Sequence, residues 1–239
     1  MYNTWRGWQE RISDMFIYVI RHGETSWNKE VRLQGQHGAD LDDLGVKLAE
    51  ITSDALKDVP FDICYTSPLI RAKHTAEIMV RDRNIPVIDE PRIMEISFGV
   101  WEGRSVREDH PEIPLETIRT FNEDSYNYVP PEGGETIQQV IDRTHDFYEE
   151  LIHKPELQDT VDADGVKHEK TILVSTHGCA TRALLHSVYE DTSKFWHGGV
   201  PMNCAVSVIH VQDGVGKIIQ HDKVYYPKKY FHDFYAGNS

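Results

Sequence analysis

The chain is short of cations. Against 39 Asp and Glu it sets 25 Lys and Arg, a formal net charge of −14 over 239 residues. A surface of that sign repels nucleic acid and anionic membranes, so neither is an expected partner. Cysteine is scarce as well. Cys64, Cys179 and Cys204 are scattered with no CxxC spacing. That excludes a disulfide or zinc framework and fits reduced thiols in a cytoplasmic protein. No stretch reaches the ~18 apolar residues of a membrane-spanning helix. The N-terminus has no apolar core of a signal peptide. Repeats and low-complexity tracts are absent too. What remains is length enough for one α/β domain with a sizeable core. An anionic substrate would need a local pocket of positive charge inside this repelling field.

Residues 1–14 are polar and tryptophan-bearing and read as an N-terminal extension, with the domain over 15–239. Phe16-Ile17-Tyr18-Val19-Ile20 is apolar, β-branched and aromatic, the pattern of a buried strand. Asp42 to Leu56 has helical spacing, with an acidic first turn. Ile63 to Tyr65 is a short strand. Leu69 to Val80 is a helix with Ser67-Pro68 at its start, as capping chemistry prefers. Val87-Ile88 is a further short strand. Glu135 to Ile152 is a long helix, Thr171 to Ser175 an apolar strand, and Cys179 to Tyr189 a helix. Ala205–Val211 and Lys217–His221 form a late pair joined by Asp213-Gly214, a hairpin turn signal. Strands alternating with helices predict a three-layer α/β/α sandwich around a mainly parallel sheet. Residues 104–134 break the rhythm with prolines, paired acids and aromatics. They read as a helical or irregular insertion that caps the site.

Chemistry concentrates at strand ends, where open α/β sheets bind ligands. Arg21-His22-Gly23-Glu24-Thr25 follows the first strand, and Thr176-His177-Gly178 follows the second strong one. An imidazole can attack phosphorus, and a guanidinium can hold two phosphate oxygens. Glycine lets a ligand approach closely, and the N–H groups after Gly178 would face an anion from a helix N-terminus. A single Arg-His pair is as readily a solvated strand end, but two His-Gly endings on one sheet suggest a facing pair of imidazoles. A third strand end supplies Arg71 on the first turn of its helix.

These motifs resemble the histidine phosphatase superfamily, also called phosphoglycerate mutase-like. The matching residues are Arg21-His22-Gly23-Glu24-Thr25, then Ser67-Pro68-Leu69 with Arg71-Ala72 and Thr75-Ala76. Glu95-Ile96-Ser97-Phe98-Gly99-Val100-Trp101-Glu102-Gly103, Pro131 with Gly133-Gly134-Glu135, and Ser175-Thr176-His177-Gly178 complete the set. They run in the family's order and cover roughly residues 15–225. The resemblance implies a role for each position. His22 would be the nucleophile that becomes phosphohistidine. Arg21, Arg71 and His177 would bind the phosphoryl oxygens, with the Gly178 backbone nearby. Asn28 matches a phosphate-contacting asparagine, and Gln34 and Gly35 the positions that touch substrate. Glu95 would be the proton donor, with Ile96, Phe98 and Trp101 desolvating it. Glu24 would buttress its loop and Glu102 would pair with an arginine.

No metal and no other cofactor is expected. His37, His110, His145, His153 and His168 lack ligand spacing, and His74 reads as surface or helix packing. Cys179 reads as a core thiol whose backbone N–H matters more than its sulfur.

Within the family, the residues after Glu95 look like the phosphatase branch, and the insertion lacks an adjacent arginine pair. The expected activity is metal-independent hydrolysis of small phosphorylated metabolites. Sugar phosphates or phosphoglycerates are the first choice; ribazole-phosphate and fructose-2,6-bisphosphate phosphatases are similar at these motifs. A phosphoglycerate mutase and a non-catalytic phosphate-binding protein are the alternatives. Phe121, Tyr126 and Tyr128 would hold an apolar substrate body or pack the insertion. Phe195-Trp196-His197 and Tyr225-Tyr226 would form a homodimer contact or pack the C-terminal segment.

Overall fold

A computed structural model describes residues 13–231. Residues 1–12 of the expected extension lie outside the described residues. Ser13 and Asp14, assigned to that extension by sequence, are instead built into the fold. Ser13 N–H donates to Ile152 O at 3.0 Å, and Asp14 Oδ1 accepts from Asp213 N–H at 2.9 Å. Asp14 also pairs with Lys167 Nζ. The sequence shows no apolar signal at these two residues, because their anchoring is polar and long-range.

The main sheet has six strands: β1 (Met15–Arg21), β2 (Ile63–Thr66), β3 (Val87–Asp89), β6 (Lys170–Thr176), β7 (Val206–Gln212) and β8 (Val215–Lys223). Two short strands, β4 (Thr160–Val161) and β5 (Lys167–His168), form a separate ribbon. The order across the main sheet is β3-β2-β6-β1-β7-β8. β3, β2, β6 and β1 pair in parallel, and β7 runs against both its neighbours. The helices are α1 (Ser26–Lys29), α2 (Asp43–Ala55), α3 (Ile70–Val80), α4 (Leu115–Glu123), α5 (Ile137–His153) and α6 (Gly178–His186). Among the described residues no helix is long and apolar enough to cross a membrane.

Alternation along β1 explains the layers. Ile17 and Val19 pack with Phe147 and Leu151 of α5 and Leu184 and Leu185 of α6. Tyr18 and Ile20 face the other way, with Leu48 of α2 and Met79 of α3. A strand buried on both faces must be apolar at nearly every position, which is why it reads as an unbroken run. Ile17, Val19, Leu173 and Val174 are fully buried. Truncating any of them to Ala belongs to the class of core changes that costs about 2–5 kcal/mol.

The expected cap at α3 is not formed as predicted. Leu69 is the N-cap residue and makes no side-chain cap bond. Ser67 accepts instead from Leu69 N–H at 3.3 Å and turns its hydroxyl toward His177. The expected long helix begins at Ile137, where Thr136 and Gln139 form a capping box. Phe195 and Tyr226 are buried, and Tyr226 Oη donates to Asn203 O at 2.6 Å. Those aromatics therefore pack within the protomer.

Candidate active site

β1 and β6 are parallel neighbours with Arg21 opposite Thr176. The next residue of each strand is a histidine, so the two imidazoles meet at the sheet's carboxyl edge. Their ring centroids lie 5.2 Å apart, and His22 N–H donates to Thr176 O at 2.9 Å. His22 Nδ1 lies 2.7 Å from Gly23 O. A carbonyl only accepts, so Nδ1 carries the proton and Nε2 keeps its lone pair. Arg71 Nε donates to that Nε2 at 3.3 Å.

The loop holding His22 is clamped from several sides. A side chain at Gly23 would come within 2.6 Å of Gly45 O, at the start of α2. Only glycine allows that approach. Gly23 N–H donates to Thr75 Oγ1 at 3.0 Å, and Thr75 in turn donates to Arg71 O at 2.8 Å. Asn203 Nδ2 donates to His22 O at 3.0 Å. Glu24 is buried 3.4 Å from Lys29, as a buttress should be.

Arg71 is 1% exposed. Its Nη1 and Nη2 donate to His37 O and Gly35 O, each at 2.7 Å. Burial lowers its pKa to about 10, so it stays a cation at neutral pH. Arg21 is buried too and donates to Pro201 O.

His177 is 0% exposed, and its Nε2 lies 2.8 Å from Ser67 Oγ. Ser67 Oγ also accepts from Leu69 N–H. The other ring nitrogen of His177, Nδ1, is buried and makes no hydrogen bond to the described residues.

Burial holds both imidazoles well below the usual histidine value of 6.5, and the nearby Arg71 pushes them further down. Both are therefore neutral in the folded protein at pH 6.5, where the unfolded chain is half-protonated. Below that pH the unfolded state binds more protons, so this pair makes stability fall as pH falls. Chemical denaturation at pH 7.5 and 5.5 should show a smaller loss in His22→Gln than in the wild type. An equal loss in both would show that His22 is not held neutral.

Glu95 approaches from an irregular segment between α3 and α4. Its Oε1 accepts from Ile96 N–H at 3.1 Å and Ala180 N–H at 3.0 Å, and its Oε2 from Cys179 N–H at 3.2 Å. It therefore sits on the N-terminus of α6, where the helix dipole and free N–H groups favour an oxygen ligand. At Gly178 a Cβ would lie 2.9 Å from Val200, 3.6 Å from Glu95 Oε2 and 3.7 Å from Arg21 Nε. The tight approach is to Val200; at Glu95 and Arg21 the contact would be an ordinary van der Waals one. The Cys179 thiol is buried with its pKa raised, so its contribution is the backbone N–H.

Ile96 and Phe98 belong to a satellite core with Trp101 packed against it, and Phe98 and Trp101 also line the cavity that holds Glu95. The Glu95 backbone is held by Arg143, whose Nη1 donates to Arg92 O and Met94 O at 2.7 Å and whose Nη2 donates to Glu95 O at 3.1 Å. Glu135 pairs with Arg143 at 3.0 Å and accepts from Ser97 N–H at 2.8 Å. Gln36 Nε2 adds a bond to Glu95 O at 3.2 Å. Glu102, expected on an arginine, accepts from the N–H groups of Gln36, His37 and Phe98 and from the His37 ring. It ties the loop after α1 to the Glu95 segment, and its partners are mostly backbone groups that no residue pattern displays.

One open cavity of about 1030 Å³, mouth included, collects Arg21, His22, Asn28, Gln34, Gly35, Arg71, Glu95 and Gly178 in its wall. His177 lies directly behind, against His22. The residues that the resemblance implicates in phosphate binding and catalysis thus lie at one place. Asn28 also closes a capping box, its Oδ1 accepting from Thr25 N–H at 3.1 Å. Phe121 and Tyr128 line the cavity, whereas Tyr126 does not: its hydroxyl donates to Thr192 O at 2.8 Å. His74 is on the surface, 2.9 Å from Asp40. Residues missed by sequence are Asn203, Arg143 and Gln36, which act through hydrogen bonds to backbone carbonyls. Glu135 was visible only as part of a motif.

The chain is similar to proteins of one family. A family profile described as histidine phosphatase superfamily (branch 1) matches residues 17–223. Phosphoserine phosphatase 1 of Hydrogenobacter thermophilus is 32% identical over 198 residues, covering 82% of this chain and 87% of that protein. A 2,3-bisphosphoglycerate-dependent phosphoglycerate mutase of Cytophaga hutchinsonii is 30% identical over 171 residues, 71% of this chain and 75% of the mutase. The solved structure of Bacillus stearothermophilus YhfR superposes with a TM-score of 0.75 at 26% identity, covering 88% of this chain and 98% of that one. The profile spans the sheet from β1 to β8 and includes both histidine-bearing strand ends, so the chain belongs to the histidine phosphatase superfamily, branch 1.

Proposed function

We propose that this protein hydrolyses phosphomonoesters of small metabolites through a phosphohistidine on His22, without a metal ion. It is a hydrolase of the histidine phosphatase type; the intermediate and the residue roles are our reading. The observation that carries it is His22 Nε2, which holds a lone pair beside the Arg71 guanidinium while Nδ1 is tied to a carbonyl. A phosphate entering here would displace the Arg71 contact and take guanidinium hydrogen bonds in its place.

The reaction then follows from charge and position. Arg21, Arg71 and the His177 ring hold the phosphoryl oxygens, where transition-state charge spreads. Asn28, Gly178 N–H, Gln34 and Gly35 complete the wall. His22 Nε2 attacks phosphorus as the bond to the leaving oxygen breaks. Glu95 gives that oxygen its proton, and the alcohol departs. Glu95, now ionised, takes a proton from water, whose oxygen attacks phosphorus and frees His22 as phosphate forms. Oε2 is the oxygen that moves the proton, because it carries one N–H bond where Oε1 carries two.

Hydrolysis fits better than mutase chemistry. A mutase must seat a second phosphate. The one further arginine in the cavity wall, Arg32, is held by Glu30 at 2.7 Å, Gly103 O at 2.8 Å and Glu112 at 3.4 Å. Residues 104–134 act as a cap: Val106, Ile113, Ile118, Phe121 and Tyr128 from this stretch close one side of the cavity.

The test is phosphate release from a panel of monophosphates in chelator-treated buffer, with the products of 3-phosphoglycerate resolved. Free phosphate is expected. Interconversion of 2- and 3-phosphoglycerate without phosphate release would mean a mutase.

A further inference from the structure

We infer that the cavity selects phosphomonoesters whose alcohol is uncharged and largely apolar, and disfavours alcohols bearing a second phosphate, a carboxylate or an ammonium group. This rests on the phosphomonoesterase reading and concerns the part of the cavity beyond the phosphate.

The wall is divided sharply. The ionisable groups Arg21, Arg71, His22 and Glu95 belong to the proposed phosphate end. Most of the remaining wall is apolar, with Trp27, Leu33, Trp101, Ile118, Phe121 and Trp196 in it, and Arg32, Thr117 and Asn122 among its polar members. Phe121 is the hub, edge-on to Phe98 at 5.4 Å, to Tyr128 at 5.0 Å and to Trp196 at 5.5 Å. Trp196 Nε1 donates to Phe121 O at 2.9 Å, which ties the Trp196 ring to the cap. The cap therefore presents a packed aromatic surface to the cavity.

The cap's own charges are spent elsewhere. Arg107 is paired with Asp109, and Arg119 with Glu116 and Glu123, all exposed. Arg104 donates to Val100 O at 3.2 Å. None of the three lines the cavity. Arg32 does, but its guanidinium is engaged by two carboxylates and a carbonyl. The sole carboxylate in the wall is Glu95, already holding three N–H groups. Gln34 Oε1 and Tyr128 Oη, buried in the wall with no hydrogen bond, are neutral groups. A second ionic group on the substrate would lose water and find no counter-charge. An apolar body would cover carbon instead.

The experiment compares kcat/KM for ethyl, 2-phenylethyl and 2-(1-naphthyl)ethyl phosphate with that for O-phosphoserine and 3-phosphoglycerate. The three neutral alcohols have similar acidity, so the chemical step is held nearly constant. One methylene in an apolar pocket discriminates by about 10–200-fold, so 2-phenylethyl phosphate should exceed ethyl phosphate and O-phosphoserine by at least about tenfold. Equal rates, or faster phosphoserine, would overturn the inference. Calorimetric binding of 2-phenylethylphosphonate against ethylphosphonate reads the same preference without turnover. Equal affinities would overturn it as well. Selective phosphonate binding with no hydrolysis of any ester would instead sink the phosphatase reading and leave the pocket assignment standing. Asn122 lies exposed on the cavity wall, so Asn122→Arg adds a free cation there. It should cut the ratio of 2-phenylethyl phosphate to 3-phosphoglycerate by about two- to fivefold, the effect of one solvent-exposed ion pair. An unchanged ratio would show that the wall does not read charge, and would overturn the inference.

Discussion

His22→Ala abolishes phosphate release, with a loss of at least ~10⁴-fold in kcat/KM, the scale seen when a covalent nucleophile is removed. The argument is about one lone pair. Nε2 of His22 is the wall's neutral nucleophile, and its partner nitrogen is locked by Gly23 O. Removing the ring leaves Arg21, Arg71 and His177 in place, so phosphate should still bind. What vanishes is the covalent intermediate. Rapid quench with labelled ester should trap an acid-labile, base-stable phosphoenzyme in the wild type and none in the variant. A labelled variant would move the nucleophile elsewhere, with His177 as the next candidate. The variant should fold. His22 is a buried imidazole held neutral against its environment, and its ring makes few bonds that the rest of the site needs.

Glu95→Gln should separate the two halves of the reaction. With an alkyl phosphate the leaving alkoxide needs a proton, and loss of the acid should cost ~10²–10⁴-fold in kcat/KM. With a nitrophenyl ester the leaving group needs none. Phosphorylation of His22 should then stay fast while attack by water slows, giving a burst of about one nitrophenolate per active site. Equal losses for both esters, with no burst, would remove Glu95 from the proton path. The amide also tests the local geometry. Both carboxylate oxygens accept from backbone N–H groups, so an NH₂ must face a donor on one side. It should turn to Oε2, which gives up only the Cys179 bond. That single loss is worth roughly 1–2 kcal/mol, visible as a modest fall in stability.

Much of this site can be read along the chain because its chemistry sits at strand ends. Phe16–Ile20 and Thr171–Ser175 announce buried strands, and each is followed by His-Gly. Once the strands pair in parallel, the sheet itself juxtaposes the histidines. Arg71 is equally legible, on the first turn after β2. Glu95 is different. It stands on a segment with no periodic pattern, and only its motif pointed to it. The group that holds it, Arg143, comes from the middle of α5, 48 residues away, where a lone arginine reads as a solvated helix face. Ser67 lies 110 residues from His177, and Asn203 181 residues from His22. Their partners are a ring nitrogen and a carbonyl, and a backbone carbonyl leaves no mark in a residue pattern.

The docking of Ser13 and Asp14 shows the same limit at the edge of the domain. Apolar patterning put the boundary at Met15, but an aspartate that caps the Asp213 N–H and pairs with Lys167 belongs to the fold. Glu102 was misassigned for a related reason. From sequence, a glutamate among arginines suggests an ion pair. In three dimensions it serves three N–H groups on two loops and gathers them beside Arg71.

Local pattern alone determined the alternation of strands and helices, the two histidine-bearing strand ends and the motif order that names the family. Those are short-range properties, set by side-chain periodicity and by the residues that must follow a strand for a ligand to approach. The tertiary structure decided which nitrogen of His22 is bare, what holds Glu95, and that the cap arginines face outward while its aromatics Phe121 and Tyr128 line the cavity. Each of these depends on where a polar group finds its partner. With buried donors and acceptors obliged to pair, and most of those partners far away in sequence, only the folded chain could settle them.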